Sequence, residues 1–220
     1  MPTYEGLRLK ALKVKRKAFA KSRKKHLKDT SFTVISNNCW GGMLYESYYL
    51  PKESPTVGLF IMASDYIKFI SDLKGYLKSE LTFIDPADSK WFEEVSSDKR
   101  YGTYPVGKLK DIEIFFLHYH SEDEARDKWL RRIKRINWDR LLIKFNDQNG
   151  CTRDDVEAFL KLPFKNKIFF TCKDWDMPDP QHIIVKISQF PKYDFIMASY
   201  EPFGKNKYID LDKLVNSLEE

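Results

Sequence analysis

Residues 140–171 read RLLIKFNDQNGCTRDDVEAFLKLPFKNKIFFT and hold two apolar runs on either side of a helical pattern. The runs RLLIKF (140–145) and KIFFT (167–171) are rich in large aliphatic and aromatic residues, which predicts two short buried strands. Between them, Thr152 predicts the N-cap of a helix over 152–161, and a proline two residues later ends that helix. This order of strand, helix and strand is typical of parallel strands joined by a helical crossover.

The same alternation extends in both directions along the chain. Further strand-like runs are FTVIS (32–36), TVGLFI (56–61), LTFI (81–84), DIEIFFLHY (111–119) and HIIVKI (182–187), and further helical patterns cover 42–49, 64–77, 121–136 and 210–218. Short buried strands that alternate with helices indicate a sheet covered on both faces. We therefore predict an α/β fold with three α/β/α layers and a mostly parallel central sheet, preceded by a basic N-terminal helix.

Charge divides the chain into two parts. Residues 1–30 contain 11 Lys and Arg against 2 Asp and Glu, a net charge of +9. The other 190 residues contain 27 against 30, a net charge of −3. We predict a basic amphipathic N-terminal helix or arm over 1–30 and a single α/β domain over 31–220. Contact with a polyanion is therefore expected of the arm rather than of the domain.

The arm has an apolar stripe at helical spacing, which consists of Leu7, Ala11, Val14 and Ala18. Three interpretations remain open. The helix could be solvated and pack this stripe on the domain, it could make peripheral contact with an anionic membrane through residues 8–28, or it could bind nucleic acid. Nucleic acid is the least favoured, because Phe19 is the one aromatic residue among the charges of this segment.

Three features bear on the compartment. No apolar run is long enough to span a membrane, and the N-terminus lacks the apolar centre of a secretory signal. The three cysteines are scattered, which argues against a disulfide framework and against a cysteine-based zinc site. We therefore expect a cytoplasmic protein. If the arm contacts the membrane, the protein would lie at its inner face.

The first strand leads into SNNCWGG (36–42), a polar, aromatic and glycine-rich corner. Ligands of open α/β sheets bind beyond the carboxyl ends of the strands, so this corner is a candidate binding loop. The amides of Asn37 and Asn38 suit a hydroxyl-rich or amide ligand. Trp40 offers a flat face for a sugar or base, and Gly41 permits close approach of the backbone. The alternative is a tight turn in which Trp40 belongs to the core.

Two histidines and an aspartate follow later strands. His118 and His120 are two residues apart, so along an extended strand they would face the same side. With Asp147 at the end of the fifth strand they could supply a general base, for which His118 and Asp147 are the candidates. The alternatives are a metal site, or a purely structural pair in which one histidine is in the core and the other caps a helix. Cys39 as a nucleophile would also need a partner histidine.

Two charged motifs suggest how a diphosphate could be held. Arg132 and Arg135 are three residues apart on the helix predicted from Ser121, and they could bind one polyanion together. A solvated helix face is the favoured explanation of the same run of arginines, and a clamp for a diphosphate is the alternative. Asp174 and Asp176 form a DWD motif that could bind Mg²⁺ or Mn²⁺ through oxygen ligands, although the motif lies in a loop.

Together the motifs resemble a bacterial family. SNNCWGG (36–42), SPTVGLFI (54–61), DYIKFI (65–70), YPVGKLKDIEIFFLHYHSEDEARDKWLRRIKRIN (104–137) and LPFKNKIFFT (162–171) are similar, in this order, to a domain of unknown function labelled exopolysaccharide or capsular polysaccharide biosynthesis protein. The resemblance spans roughly residues 30 to 200. It implies a three-layer α/β fold and a place in bacterial surface-polysaccharide synthesis, and it assigns no catalytic residue.

Three functions are compatible with these observations. The first is a glycosyltransferase-like or sugar-modifying enzyme that binds an activated sugar, with Asn37 and Asn38 on its hydroxyls and Arg132 on its diphosphate. The second is a non-enzymatic carbohydrate-binding or scaffold subunit of polysaccharide assembly, which would bind a glycan through the same residues. The third, a nucleic-acid-binding protein acting through its arm, is the least favoured because the domain is acidic.

Overall fold

A computed structural model gives the fold and describes residues 3–187 and 194–218. The helices are α1 (Tyr4–Ala18), α2 (Ala20–Lys24), α3 (Trp40–Ser47), α4 (Ala63–Ser71), α5 (Leu73–Lys78), α6 (Phe92–Val95), α7 (Glu122–Ile133), α8 (Arg153–Lys161) and α9 (Leu211–Asn216). The strands are β1 (Thr33–Ser36), β2 (Thr82–Ile84), β3 (Val106–Leu109), β4 (Ile112–Phe115), β5 (Leu141–Asn146), β6 (Lys167–Thr171) and β7 (Ile184–Lys186).

The central sheet is parallel. Its strand order is β1-β5-β6-β7, and each neighbouring pair runs in the same direction. Helix α8 forms the crossover from β5 to β6, and Thr152 and Asp155 make a capping box at its start. The strand–helix–strand unit predicted from residues 140–171, with Thr152 as the N-cap, is therefore confirmed.

Side chains alternate between the two faces of this sheet, as the geometry of a strand requires. One face packs against α4, α7 and α8 through Ile35, Ile143, Phe145 and Phe169. The other face packs against α3 and α9 through Val34, Leu142, Ile168 and Phe170. A layer of helices thus covers each face, which confirms the predicted three-layer α/β fold with a mostly parallel central sheet.

A second sheet was not anticipated. Strands β2, β3 and β4 form a separate antiparallel sheet, although the runs 81–84 and 111–119 have the same apolar character as the central strands. The run 56–61 forms no strand of its own, because Gly58 has a φ of +80° that interrupts an extended chain. Within that run Phe60 alone makes a β-bridge, with Phe115 of β4.

Helix α1 packs on the domain by a face that its apolar periodicity does not mark. The Arg16 side chain is buried, lies 3.6 Å from a Glu46 carboxylate oxygen and covers the ring of Phe203 at 4.6 Å. The predicted stripe of Leu7, Ala11, Val14 and Ala18 instead faces solvent. The interpretation in which this stripe packs on the domain is wrong, whereas the division into 1–30 and 31–220 stays a prediction.

Among residues 3–187 and 194–218, no helix has both the length and the apolar character that crossing a bilayer would require.

Candidate functional site

Two cavities meet beyond the carboxyl ends of β1 and β5, and we call the combined space the joint cleft. The smaller has a volume of about 270 Å³ and the larger about 620 Å³, and Cys39, Met43 and His118 line both. The loop after β5, the segment between α6 and β3, and residues 195–199 complete the walls. The larger volume lies in the range that small-molecule ligands occupy, roughly 300–1,000 Å³.

Asn38 forms part of the wall and is held in one orientation. Its Oδ1 accepts hydrogen bonds from Lys144 Nζ at 2.9 Å and from the Trp40 backbone N–H at 3.0 Å. Its Nδ2 donates to Gln148 Oε1 at 3.3 Å. The amide therefore connects the end of β1 to the loop after β5, and it fixes the position of Gln148 at the cleft.

Beneath Asn38 lies a fully buried ion pair. The side chains of Lys144 on β5 and of Glu201 have no solvent-exposed surface, and their charged atoms are 2.6 Å apart. Burial raises the pKa of Glu201 to about 7, although Lys144 opposes the shift. Burial also lowers the pKa of Lys144 from its usual value, and Glu201 opposes that change. The pair joins the C-terminal segment to the centre of the sheet, directly under the cleft.

His118 lies in a turn after β4 rather than on an extended strand. Its backbone N–H donates to the Gly58 carbonyl oxygen at 3.0 Å, and its side chain reaches solvent at the cleft. Desolvation by the surrounding protein, followed by the charges of Arg100 and Lys52, lowers the pKa of His118 below its usual 6.5. The imidazole is therefore neutral at pH 7 and able to accept a proton.

Cations give the joint cleft a positive side. Lys52 and Arg100 line it, and both favour the ionised form of the Cys39 thiol. Asp98 offsets part of this charge, because it accepts a hydrogen bond from Arg100 Nη2 at 2.7 Å. Burial nevertheless outweighs the cations at Cys39 and raises its pKa to about 11. Cys39 is thus a thiol at neutral pH, which does not suit a nucleophile.

Arg132 lines the smaller cavity, but its contacts are structural. The side chain is buried, donates to the Lys52 carbonyl oxygen at 3.1 Å and contacts the Tyr119 hydroxyl at 2.5 Å. Arg135 instead pairs with Glu53 at 2.8 Å on the surface. The two arginines do not converge on one space, so a clamp made from both of them is not formed here.

The other residues of the SNNCWGG corner lie behind the cleft wall. Asn37 is fully buried and donates to Asn146 Oδ1 at 2.9 Å. Trp40 is also fully buried, and its Nε1 donates to the Pro202 carbonyl oxygen at 3.2 Å. Gly41 packs against β1, where an added Cβ would lie 3.3 Å from the Ser36 Cβ. Trp40 accordingly has no free face for stacking on a ligand.

Asp147 and His120 also lie outside the joint cleft. Asp147 is buried and accepts from Thr171 Oγ1 at 2.7 Å and from the Ile196 backbone N–H at 2.7 Å. It therefore ties the ends of β5 and β6 to the C-terminal segment. His120 precedes α7, and its backbone N–H donates to Glu124. Neither side chain lines the joint cleft.

The DWD motif lies on the surface. Asp174 is exposed and pairs with Lys186 at 2.7 Å, and the backbone oxygen of Asp176 accepts from Arg153. In the part of the chain that the structure describes, no three His, Cys, Asp or Glu side chains are grouped so that they could hold a metal ion. Because Mg²⁺ is commonly bound by one or two carboxylates together with water and substrate phosphates, the assignment of a metal to Asp174 and Asp176 stays a prediction.

Sequence reasoning missed several residues of the cleft. Arg100 and Tyr104 come from a loop that follows no central strand, and Lys52 precedes the run that was predicted to be a strand. Gln148 and Asn149 directly follow the predicted Asn146–Asp147 strand end. Including two more residues after the predicted end of this strand among the candidates would have found these two amides.

A family model described as a domain of unknown function (DUF1919) matches residues 10–218, from within α1 to beyond α9. An uncharacterized protein of Haemophilus influenzae (strain ATCC 51907 / DSM 11121 / KW20 / Rd) is 37% identical to the chain over 170 residues, which is 76% of each protein. These descriptions name no substrate. The resemblance to a domain of unknown function is therefore confirmed, and the link to exopolysaccharide stays a prediction.

Proposed function

The chain belongs to the DUF1919 family of domains of unknown function, and from this premise we propose that it is a glycosyltransferase-like or sugar-modifying enzyme acting on an activated sugar. The observation that carries the proposal is the joint cleft, in which amide groups and cations surround a neutral histidine. A sugar phosphate or nucleotide sugar combines the hydroxyl groups and the negative charge that such a lining recognises.

The phosphate end of the ligand is assigned to the side of Arg100 and Lys52. Desolvation is the main cause of the lowered pKa of His118, and the charges of Arg100 and Lys52 add to it, which places both cations near the imidazole. A phosphate placed there is attracted by the same charges, and Arg100 can donate to its oxygens. Asp98 accepts hydrogen bonds from Nε and Nη2 on one edge of the Arg100 guanidinium. It therefore orients the guanidinium and leaves the other edge available to a phosphate.

The sugar end is assigned to the amides after β5. Within the described residues, the Gln148 Nε2 group forms no hydrogen bond, so it can donate to a hydroxyl. The Asn149 side chain is anchored through Nδ2 to the Ile61 carbonyl oxygen at 3.1 Å, which leaves Oδ1 as an acceptor. Phe60 and Tyr104, whose ring centroids are 6.3 Å apart, provide an apolar wall for a sugar or base.

We expect nucleotide sugars to raise the melting temperature of the purified protein. A ligand at about 100 times its Kd adds roughly 2.7 kcal/mol to the free energy of unfolding. For a chain of this size that corresponds to a shift of about 5–10 °C. The screen pairs each nucleotide sugar with its free nucleotide and free sugar, with and without Mg²⁺ or Mn²⁺, and includes sugar phosphates.

Arg100→Ala tests the assignment of the phosphate end. Loss of a charged hydrogen bond is expected to weaken binding by about 10- to 100-fold. Arg131→Ala removes the same side chain from the exposed surface of α7, outside the cleft, and should leave the affinity unchanged. Equal losses in both variants, or no thermal shift with any phosphorylated sugar, would contradict the proposal.

A second function, glycan binding without turnover, is favoured by the engagement of Asp147. This carboxylate was, beside His118, the other candidate for the general base, but it is buried and hydrogen-bonded outside the cleft. A carbohydrate-binding or scaffold subunit needs no such base. It would bind polysaccharide fragments through the amide and aromatic walls, and binding would be insensitive to His118→Ala.

His118→Ala separates the two functions. If His118 is the general base, kcat should fall by about 10²- to 10⁴-fold while ligand affinity changes by less than about threefold. The activity of the wild-type enzyme should also decline as the pH falls through the pKa of His118, which desolvation holds below 6.5, because protonation removes the base. Single-turnover assays on the donor identified by thermal shift measure both effects. Unchanged turnover in the variant excludes the proposed role of His118.

A further inference from the structure

The outward face of α1 is apolar and has no partner in the described part of the chain. Tyr4 is 78% exposed, Leu7 52% and Val14 67%, and the small side chains of Ala11 and Ala18 continue the same stripe. Large apolar side chains that lie together on a surface mark a site of interaction, whereas isolated ones do not. Half of the exposed large hydrophobic residues described for the protein fall within the first 19 residues.

Contacts on the opposite face fix this orientation. Arg16 is held between Glu46 and the ring of Phe203. Arg23 Nη1 donates both to the Arg16 carbonyl oxygen at 2.9 Å and to the Ser47 carbonyl oxygen at 3.0 Å. The inner face of α1 is thus anchored by charges and by hydrogen bonds at the end of α3. The stripe therefore points away from the protein.

Basic side chains border the stripe on both sides. With about 3.6 residues per turn, Lys10 and Lys17 lie on one side of it, and Arg8 and Lys15 lie on the other. Lys10, Lys13 and Lys15 form no ion pair with the described residues, so their charges are available to a partner. An apolar stripe between two rows of cations is the pattern of a helix that lies in a membrane interface.

The patch continues beyond α1. Phe19 is exposed at the end of the helix, and Tyr49 is exposed at the end of α3. Lys21 Nζ lies 5.1 Å from the centroid of the Tyr49 ring, which places another cation beside this aromatic side chain. Tyrosine is enriched where lipid headgroups meet water, because its ring is apolar and its hydroxyl is polar. One surface thus combines aliphatic, aromatic and basic groups.

We propose that α1 and α2 dock the protein on the surface of an anionic lipid bilayer. The stripe would enter the headgroup region while the flanking lysines meet lipid phosphates. Charge complementarity supports this occupant, because residues 1–30 carry +9 and the rest of the chain carries −3. A polynucleotide would satisfy the cations but would leave the apolar stripe without a partner. This inference does not depend on the proposed enzymatic function.

The test is sedimentation of the full chain with lipid vesicles. Vesicles of phosphatidylcholine with about 30 mol% phosphatidylglycerol should bind the protein, and vesicles of phosphatidylcholine alone should bind it much more weakly. Raising the salt from about 0.1 M to about 0.5 M should reduce binding, because it screens the charges. A duplex DNA oligonucleotide at the same salt concentrations serves as the competing polyanion.

Leu7→Glu and Val14→Glu should each lower the partition coefficient by about tenfold or more. Leu130→Glu is the matched control, because Leu130 is exposed to 51% on α7 and the change in charge is the same. It should retain binding within about twofold. Melting temperatures verify that all three variants fold.

Four results would overturn the proposal. The first is an equal loss in Leu7→Glu and Leu130→Glu, since net charge alone would then explain the binding. The second is absence of wild-type binding to anionic vesicles. The third is DNA binding that is stronger than vesicle binding and that Leu7→Glu leaves unchanged. The fourth is sedimentation without lipid that Leu7→Glu abolishes, which would assign the stripe to a second copy of the chain.

Discussion

Lys144→Met is expected to lower the free energy of unfolding at pH 8 by about 3–5 kcal/mol. The substitution keeps most of the apolar volume of the side chain but removes the cation 2.6 Å from the buried Glu201 carboxylate. That carboxylate would then be charged without a partner, or would have to hold a proton at a pH far above the pKa of 4.5 that it has in the unfolded chain. Removing either member of a buried ion pair is costly for this reason.

Two further variants isolate the origin of the effect. Lys144→Met/Glu201→Leu removes both charges, and its stability should return to within about 1 kcal/mol of the wild type. Lys186→Met breaks a pair of similar length, 2.7 Å to Asp174, on the exposed edge of the same sheet. It should cost no more than about 1 kcal/mol, because solvent screens that pair. Urea unfolding at equilibrium measures all three.

The Lys144→Met substitution should also affect ligand binding in the joint cleft. Lys144 Nζ donates to Asn38 Oδ1, and Asn38 in turn holds Gln148 at the cleft. Loss of the cation should therefore weaken sugar binding as well as stability, even though Lys144 itself is buried beneath the site. A stability loss in Lys144→Met that the double variant does not recover would contradict the ion-pair explanation.

Glu201→Gln is expected to remove a pH dependence of stability worth about 3 kcal/mol. Burial raises the pKa of Glu201 from 4.5 to about 7, with Lys144 opposing the shift. Between these two values the folded protein retains a proton that the unfolded chain releases. The contribution to stability is therefore fully present below pH 4.5, and it is lost as the pH rises to about 7.

The measurement is the free energy of unfolding of both proteins at a series of pH values between 4.5 and 8. Histidines and other carboxylates also titrate in this range, but they are common to both proteins and cancel in the difference. The wild type should lose stability relative to Glu201→Gln as the pH rises. Parallel curves would mean that Glu201 has the same pKa in the folded and unfolded states.

Local patterns determined much of the architecture. Strands β1, β5 and β6 and helix α8 follow directly from short apolar runs, from Thr152 as an N-cap and from the proline after the helix. Each of these signals acts over a few neighbouring residues, so it is readable without knowledge of the fold. Asn38, which lines the cleft after β1, was found by the same rule, whereas the cleft residues after β5, Gln148 and Asn149, lie just beyond the strand end that the rule marked.

Contacts between distant residues decided the rest. Asn38 and Lys144 are 106 residues apart, and their hydrogen bond exists because β1 and β5 are neighbours in the sheet. The engagement of Asp147, the burial of Trp40 and the arrival of Arg100 at the cleft depend on such pairings. Residue type shows which polar groups need a partner, but the packing of distant segments decides which of them receive one.

Helix α1 illustrates the same division. Its sequence determined that it would be helical, basic and apolar along one stripe. Its orientation was decided by Glu46, Phe203 and Ser47, which bind Arg16 and Arg23 on the opposite face. A helical pattern identifies an apolar face but does not state what will cover it. Which face is covered depends on which contacts stabilise the folded chain more. Here the contacts of Arg16 and Arg23 hold the opposite face of the helix against the domain, and the apolar stripe stays exposed.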